Sequence, residues 1–138
     1  MRTCGTLFVY GTLMVGHAAH GLIAPWVRGV RAARGRGRLF LMPPGYPALV
    51  RSAADEVVHG QLLELDLGWD WARLDAYEAC DPDDPDGSLY QRSVLPFELP
   101  DGTTRSAWCY WMPSSSEARI TSEGARWLPG GRWPPSQG

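Results

Sequence analysis

The sequence predicts an α+β protein in which a small mixed β-barrel, closed or half-closed, carries flanking helices. Two observations favour this fold. Short β-branched and aromatic runs, typical of strands, recur between turns that contain Gly or Pro, whereas only one segment has sustained helical periodicity. The chain of 138 residues is long enough for one ordinary core, with 44% hydrophobic and 20% charged residues.

The strands are predicted from apolar runs and from alternation. Residues 57–65 alternate along their whole length, which is typical of a strand with two distinct faces. Pro100-Asp101-Gly102 is a turn signal between two further runs and predicts a hairpin. The predicted strands are Thr6–Tyr10, two irregular strands around Gly35 and Gly37 within Val27–Met42, then Ala48–Arg51, Val57–Leu65, Leu89–Leu99 and Thr103–Met112.

One helix is predicted from about Trp69 to Ala79, because its apolar residues recur at three- and four-residue spacing and Asp66 can cap its start. A short helical turn is expected over 16–24, with Pro25 ending it. We expect a single domain over residues 1–113. A polar, partly loose C-terminal extension would follow over residues 114–138.

Charge and composition argue against several classes of function. The net charge is −2 and there is no basic stripe, so nucleic acid is not an expected partner. No signal peptide and no apolar run of about 20 residues are present, so we expect a cytoplasmic protein that does not bind membranes. Three widely spaced cysteines (Cys4, Cys80 and Cys109) favour a reducing compartment. The absence of lysine beside abundant Arg, Ala and Gly indicates a GC-rich bacterial gene.

Two segments carry candidate chemistry. Residues 7–13 run from a buried strand into a turn at Gly11, where consecutive backbone N–H groups can converge on an anion. Glu78 lies near the C-terminal end of the predicted helix among aromatic residues. The helix dipole and desolvation would both raise the pKa of this carboxyl, which suits a group that accepts and returns a proton. Taken singly, the first segment is better explained as a plain strand end, and Glu78 gives only a weak signal against a solvated helix glutamate.

Taken together, the two segments resemble the γ-glutamylcyclotransferase-like family, which includes γ-glutamylamine cyclotransferases and plant avirulence-induced proteins. The resemblance rests on Tyr10-Gly11-Thr12-Leu13 and on Leu74-Asp75-Ala76-Tyr77-Glu78. Supporting matches occur in order at 45–49, 58–62, 88–92, 99–102 and 107–110, so the resemblance covers roughly residues 6–110. Two departures, Ala19 where members often have Asn and a divergent 122–127 segment, bear on which amine is released.

The resemblance implies a barrel with a cavity beside the first turn. Tyr10, Gly11, Thr12 and Leu13 would bind the α-carboxylate and amino group of a small γ-glutamyl substrate, and Glu78 would be catalytic. The implied reaction releases an amine or amino acid and forms 5-oxoproline, for instance to deprotect a γ-glutamylated metabolite. No cofactor and no metal are implied, and the protein could be a monomer or a homodimer. Tyr46 and Tyr90 lie in segments that could line the leaving-group side.

Other interpretations stay open from sequence alone. The main one is a non-catalytic module that binds a small carboxylate or a peptide tail, although a nearby Glu78 would not help to bind an acid. His17 and His20 could supply half of a metal site, and the acidic loop 81–87 invites a calcium interpretation, but further ligands are missing from both. A Cys–His nucleophile at Cys80 lacks a partner motif.

Overall fold

The computed structural model describes residues 5–11, 13–17, 20–43, 45–51, 56–66, 71–78 and 90–133, apart from the side chains at 73 and 77. The strands are β1 (Thr6–Val9), β2 (Val27–Arg36), β3 (Arg38–Leu41), β4 (Pro47–Val50), β5 (Val57–Leu65), β6 (Gln91–Glu98), β7 (Thr104–Trp111) and β8 (Arg126–Leu128). The α-helices are α1 (Trp71–Tyr77) and α2 (Glu117–Ser122). Single 3₁₀ turns occur at His20–Leu22, Ala24–Trp26 and Ser114–Ser116.

The predicted mixed barrel is confirmed. Strands β1, β5, β2, β6 and β7 form a closed barrel in that order. Neighbouring strands are antiparallel except for β1 and β7, which close the barrel in parallel where Leu7 faces Trp108. Strands β2 and β6 pair only at Arg34 and Glu98. The barrel is therefore paired over several residues in the β1–β5, β5–β2 and β6–β7 ladders and by a single residue pair in the β2–β6 and β1–β7 ladders.

The turn between β6 and β7 has the predicted hairpin geometry. Asp101 Oδ1 accepts hydrogen bonds from the backbone N–H of Thr103 at 2.9 Å and from its hydroxyl at 2.6 Å. Gly102 has φ of 87°, a left-handed conformation that a residue without Cβ adopts at no steric cost. The turn chemistry visible in the sequence is thus what joins these two strands.

A second sheet packs beside the barrel, with strand order β4-β3-β8. The break between β2 and β3 falls at Gly37, whose φ is 151°. A Cβ there would lie 2.8 Å from the carbonyl oxygen of Val50, so only glycine lets the chain leave the barrel at this point. The second sheet joins the barrel where the backbone N–H of Met112 donates to the carbonyl of Leu49 at 2.8 Å.

The segment after residue 113 contributes to this second sheet. β8 pairs antiparallel with β3, and Ile120 of α2 is fully buried. The backbone N–H of His59 in β5 also donates to the carbonyl of Gly131 at 2.7 Å. The predicted boundary at residue 113 stays a prediction, but the part of the extension described, 114–133, packs on the rest of the chain.

The alternation of β5 distributes its side chains between two apolar clusters. Val58 and Leu62 pack with Phe8 and Phe97 in one cluster. Leu63 belongs to the other cluster, which includes residues of β1, β4 and α2. Because both faces of β5 are covered, it is the central strand of the molecule.

The helical regions differ in part from the prediction. Pro25 does not end the first helical turn but lies inside the second 3₁₀ turn, because its fixed φ and missing N–H suit the first positions of a helix. The observed α1 lies inside the predicted helix, whose positions 69–70 and 79 fall outside the described residues. Between Asp66, the predicted cap, and the start of α1, residues 67–70 also lie outside the described part of the chain. The Asp66 carboxylate accepts a hydrogen bond from Arg28 at 2.7 Å. No described helix is both long and apolar enough to cross a membrane.

Candidate active site

A cavity of about 310 Å³ opens at the end of β1. Its volume is at the lower end of the range of small-molecule sites, so it fits a compact ligand rather than a folded partner. The cavity combines the end of β1 and the turn after it, the start of β4, the residue after α1, the residue before β6 and the strand β7. Its lining residues are Phe8, Val9, Tyr10, Gly11, Leu13, Tyr46, Pro47, Glu78, Tyr90 and Tyr110.

The turn after β1 forms one wall. Tyr10, Gly11 and Leu13, three of the four predicted binding residues, line the cavity, and Thr12 lies outside the described residues. A Cβ on Gly11 would lie 2.2 Å from Cγ of Pro47, so glycine is what allows the turn and β4 to meet. The backbone N–H of Met14 donates to the carbonyl of Gly11 at 3.0 Å and closes the turn.

Glu78 also lines the cavity and comes immediately after α1. Its backbone N–H continues the helix by donating to the carbonyl of Leu74 at 2.9 Å, and Leu74 is anchored in the core. Burial raises the pKa of the Glu78 carboxyl from its ordinary value of 4.5 to about 7. Desolvation, which the aromatic neighbours in the sequence predict, accounts for this shift. Near neutral pH the group can therefore both accept and donate a proton.

Tyrosine rings form much of the remaining wall, and three of their hydroxyl groups point into the protein. The Tyr10 hydroxyl donates to the carbonyl of Tyr110 at 2.8 Å, and the Tyr90 hydroxyl donates to the carbonyl of Pro47 at 2.9 Å. The Tyr110 hydroxyl donates to Oδ1 of Asp75 at 2.5 Å. These residues thus offer ring surfaces to the cavity, and the hydroxyl groups fix the rings in place.

The tyrosines and Glu78 influence one another electrostatically. The pKa of Tyr10 is raised well above its ordinary value, chiefly by burial and then by Tyr90. The pKa of Tyr110 is also raised, first by burial and then by its hydrogen bond to Asp75. Both hydroxyl groups therefore stay protonated as donors, and Glu78 is the one carboxyl group among the described residues of the wall.

Sequence reasoning missed an ion pair behind the cavity. Arg92 donates from Nε to Oδ1 of Asp75 at 2.8 Å and from Nη2 to Oδ2 at 3.1 Å. Asp75 is one of only two buried polar residues in the described part of the chain. One signal was available, since Asp75 lies three residues before Glu78 beside the apolar face of its helix.

The alternative chemistries receive no support from geometry. Among the described residues, no group of three or more His, Cys, Asp or Glu side chains could hold a metal ion. Nδ1 of His20 lies 2.8 Å from the carbonyl oxygen of Leu13. Cys109 is buried and burial raises its pKa, which disfavours a nucleophilic thiolate. Cys80 and the acidic loop 81–87 lie outside the described residues.

Comparison with known proteins identifies the class to which this barrel and cavity belong. The chain matches the family model described as gamma-glutamyl cyclotransferase, AIG2-like, over residues 7–134. Because this match covers nearly the whole chain, the protein belongs to that family, which is one of cyclotransferase type. No curated protein sequence matches it significantly.

Solved structures with the same fold include proteins from bacteria and from a mammal. An AIG2-like protein from Mus musculus is 22% identical with a TM-score of 0.62, covering 82% of this chain and 80% of that one. The c4763 protein of uropathogenic E. coli is 22% identical with a TM-score of 0.58, covering 96% and 94%. YkqA from Bacillus subtilis is 23% identical with a TM-score of 0.66, and the match covers 95% of this chain. The chain spans only 40% of the length of YkqA.

Proposed function

We propose that the protein is a γ-glutamyl cyclotransferase that releases an amine or amino acid from a γ-glutamyl amide and forms 5-oxoproline. The observation that carries the proposal is the position of Glu78. It lines the same small cavity as the turn after β1, and burial raises its pKa to about 7. Membership of the cyclotransferase family supports the same reaction class.

The reaction needs one proton-transfer group and a folded substrate. In a substrate R–NH–CO–CH₂–CH₂–CH(NH₃⁺)–COO⁻, Glu78 takes a proton from the α-ammonium group. The freed amine attacks the γ-carbonyl carbon, a C–N bond forms and closes the five-membered lactam, and the bond to R–NH breaks. Glu78 then returns the proton to the departing nitrogen. The second proton, which the ring nitrogen loses on closure, is taken up by the released amine, so the products are 5-oxoproline and R–NH₃⁺. A carboxyl with a pKa near the working pH suits both transfers.

The first turn supplies the site for the glutamyl group in this proposal. Backbone N–H groups around Gly11, with Thr12 and Leu13, would hold the α-carboxylate, and Tyr10 would pack against the substrate chain. Holding the folded conformer is the larger part of catalysis, because well-oriented ring closures reach effective molarities of about 10⁵–10⁸ M. The rings of Tyr46 and Tyr90 would contact the leaving amine.

The physiological setting is a further part of the proposal. A compact cavity walled by aromatic rings fits a small γ-glutamylated metabolite, and removal of the γ-glutamyl group would deprotect its amine. We propose that the protein acts in the cytoplasm, without a cofactor, as a monomer or a homodimer.

The test is product identification. Purified protein is incubated with γ-glutamyl amines and γ-glutamyl amino acids, and 5-oxoproline, free glutamate and released amine are quantified by mass spectrometry. The proposal expects equal amounts of 5-oxoproline and amine, and loss of both in Glu78→Gln. Glu123→Gln, at an exposed glutamate in an i,i+4 pair with Arg119, is the matched control and keeps the activity.

The alternative function, a non-catalytic binding module, predicts a different result. Glutamate-like acids would bind, no γ-glutamyl compound would turn over, and Glu78→Gln would bind them at least as tightly because it removes a negative charge. Free glutamate in place of 5-oxoproline would instead indicate a hydrolase that uses the same cavity.

A further inference from the structure

The helix that carries Glu78 is too short to hold its own position. α1 has seven residues, and isolated helices need about 12–15 residues even to be marginally stable in water. Contacts between α1 and the barrel therefore decide where the Glu78 carboxyl lies. Leu74 supplies the apolar contact, because it is buried in the core one turn before Glu78.

Asp75 supplies the polar contact, and it joins α1 to two strands. Its carboxylate accepts two hydrogen bonds from the guanidinium of Arg92 on β6 and one from the hydroxyl of Tyr110 on β7. The side chains of Arg92 and Asp75 are only 15% and 10% exposed. Bidentate, charge-assisted bonds of this kind fix direction as well as distance.

Two tryptophans hold the other partner of this pair. The guanidinium carbon of Arg92 lies 4.8 Å from the ring centroid of Trp71 on α1 and 4.6 Å from that of Trp108 on β7. The two rings are 5.7 Å apart and tilted by 54°. Arg92 is thus bonded to one residue of α1 and stacked against another, so its position and that of the helix depend on each other.

The pair also lies close to Glu78, because Asp75 is three residues earlier in the same helical segment and because Asp75, Arg92 and Glu78 all act on the pKa of Tyr110. Other titratable or charged groups come from the end of β1, the residues before and after β4, the residue before β6, and β7: Tyr10, Tyr46, Arg51, Tyr90, Cys109 and Tyr110. Tyr10, Cys109 and Tyr110 are neutral because burial raises their pKa, the Tyr90 hydroxyl is a hydrogen-bond donor, and Arg51 is exposed to solvent. Asp75 and Arg92 are charged, and together they add no net charge.

We propose that Asp75 and Arg92 are positioning residues for Glu78: their bidentate pair holds α1 against the barrel, and their opposite charges cancel beside the carboxyl group. The inference rests on the proposed catalytic role of Glu78. It goes further by assigning roles to Asp75 and Arg92, which need not touch the substrate. In this proposal the two residues set both the position and the pKa of the Glu78 carboxyl group.

Breaking the pair from either side has opposite effects on Glu78. Asp75→Asn leaves a buried positive charge, which favours the carboxylate, so Glu78 should titrate about one pH unit lower. Arg92→Gln leaves a buried negative charge, so Glu78 should titrate about one pH unit higher. The double variant removes both charges and should titrate close to the wild type. A purely structural role would not give shifts of opposite sign.

The measurement is an NMR titration of protein labelled with ¹³C at glutamate Cδ, with the Glu78 signal assigned by its loss in Glu78→Gln. This readout needs no substrate, so it can succeed even if no γ-glutamyl compound turns over. Arg28→Gln and Asp66→Asn, which break an exposed ion pair, are the matched controls and should leave Glu78 unchanged. Shifts of the same sign in the two single variants, or none in folded protein, would overturn the proposal.

A conservative variant of Arg92 tests the positioning of Glu78 separately from the charge beside it. It also provides a test if Asp75→Asn or Arg92→Gln does not fold. Arg92→Lys keeps the positive charge but loses the planar fork and the stacking. Glu78 should then titrate as in the wild type, while kcat for 5-oxoproline formation falls at least tenfold and KM changes little. Full kcat in Arg92→Lys would show that the pair does not position Glu78.

Discussion

Replacing Glu78 by glutamine should make the protein more stable at neutral and alkaline pH, although it removes the proposed catalytic group. Burial raises the pKa of this carboxyl from 4.5 to about 7. Below about pH 4.5 the group is neutral in both the folded and the unfolded chain, so it costs the fold nothing. Between the two values only the unfolded chain ionises, and the wild type loses stability as the pH rises through about 7.

The size of the effect follows from the difference between the two pKa values. Each unit of difference between the two pKa values corresponds to about 1.4 kcal/mol. Above pH 7 the ionised Glu78 therefore lowers the free energy of unfolding of the wild type by at most about 3 kcal/mol. Because the side chain is partly exposed, solvent screening reduces the expected gain in the free energy of unfolding to about 2 kcal/mol. For a chain of this length the midpoint of thermal unfolding should rise by roughly 7 °C.

Thermal and urea unfolding of wild type and Glu78→Gln from pH 4 to pH 9 measure this difference. The two proteins should be nearly equal at pH 4, diverge up to about pH 7 and stay a constant distance apart above it. Glu123→Gln, at an exposed glutamate, should give a small difference that does not depend on pH in this way. A Glu78→Gln protein that is no more stable than wild type at pH 8 would refute the argument that Glu78 is held in a desolvating site.

Further predictions concern the walls of the cavity and the leaving amine. Gly11→Ala should lower kcat/KM at least tenfold, because the new Cβ would lie 2.2 Å from Cγ of Pro47 and would push the turn away from β4. Gly130→Ala is the control in the same activity assay, since a Cβ there would have nothing within 4 Å. Gly60→Ala should destabilise the fold by about 2 kcal/mol or more in urea unfolding, since its Cβ would lie 2.1 Å from the carbonyl oxygen of Val9, whereas Gly21→Ala should change little. In steady-state assays, γ-glutamyl amides of aromatic or aliphatic amines should have a higher kcat/KM than those of acidic amino acids. The described wall consists mainly of aromatic rings, and its one acidic residue, Glu78, disfavours a second negative charge. A preference for acidic leaving groups would contradict this prediction.

Local chemistry made much of the fold predictable. Strand β5 was predicted with its observed bounds, because its residues divide between two faces and apolar residues on both faces match a strand covered on both sides. The β6–β7 hairpin was predicted because Asp101 and Gly102 specify the turn by themselves. Glu78 and the turn at Gly11 could be proposed as one site only from the resemblance, since neither residue alone has a distinctive sequence signal.

Long-range pairing could not be predicted in the same way. β8 has only three residues and no periodicity, and it becomes a strand because β3 offers a free edge. The pairing of Asp75 with Arg92 depends on the packing of α1 on β6, and nothing in the local sequence of either residue requires it. The behaviour of Pro25 also depended on context, because proline can either end a helical turn or begin one.

The pH dependence of 5-oxoproline formation tests the central claim most directly. The wild-type kcat/KM, measured from pH 5 to pH 9 with a γ-glutamyl amine, should rise with pH through an inflection near 7, the pKa to which burial raises Glu78. Glu78→Gln should form no 5-oxoproline across this range. A substantial rate in Glu78→Gln, or a wild-type profile with its inflection near the ordinary glutamate value of 4.5, would contradict the account.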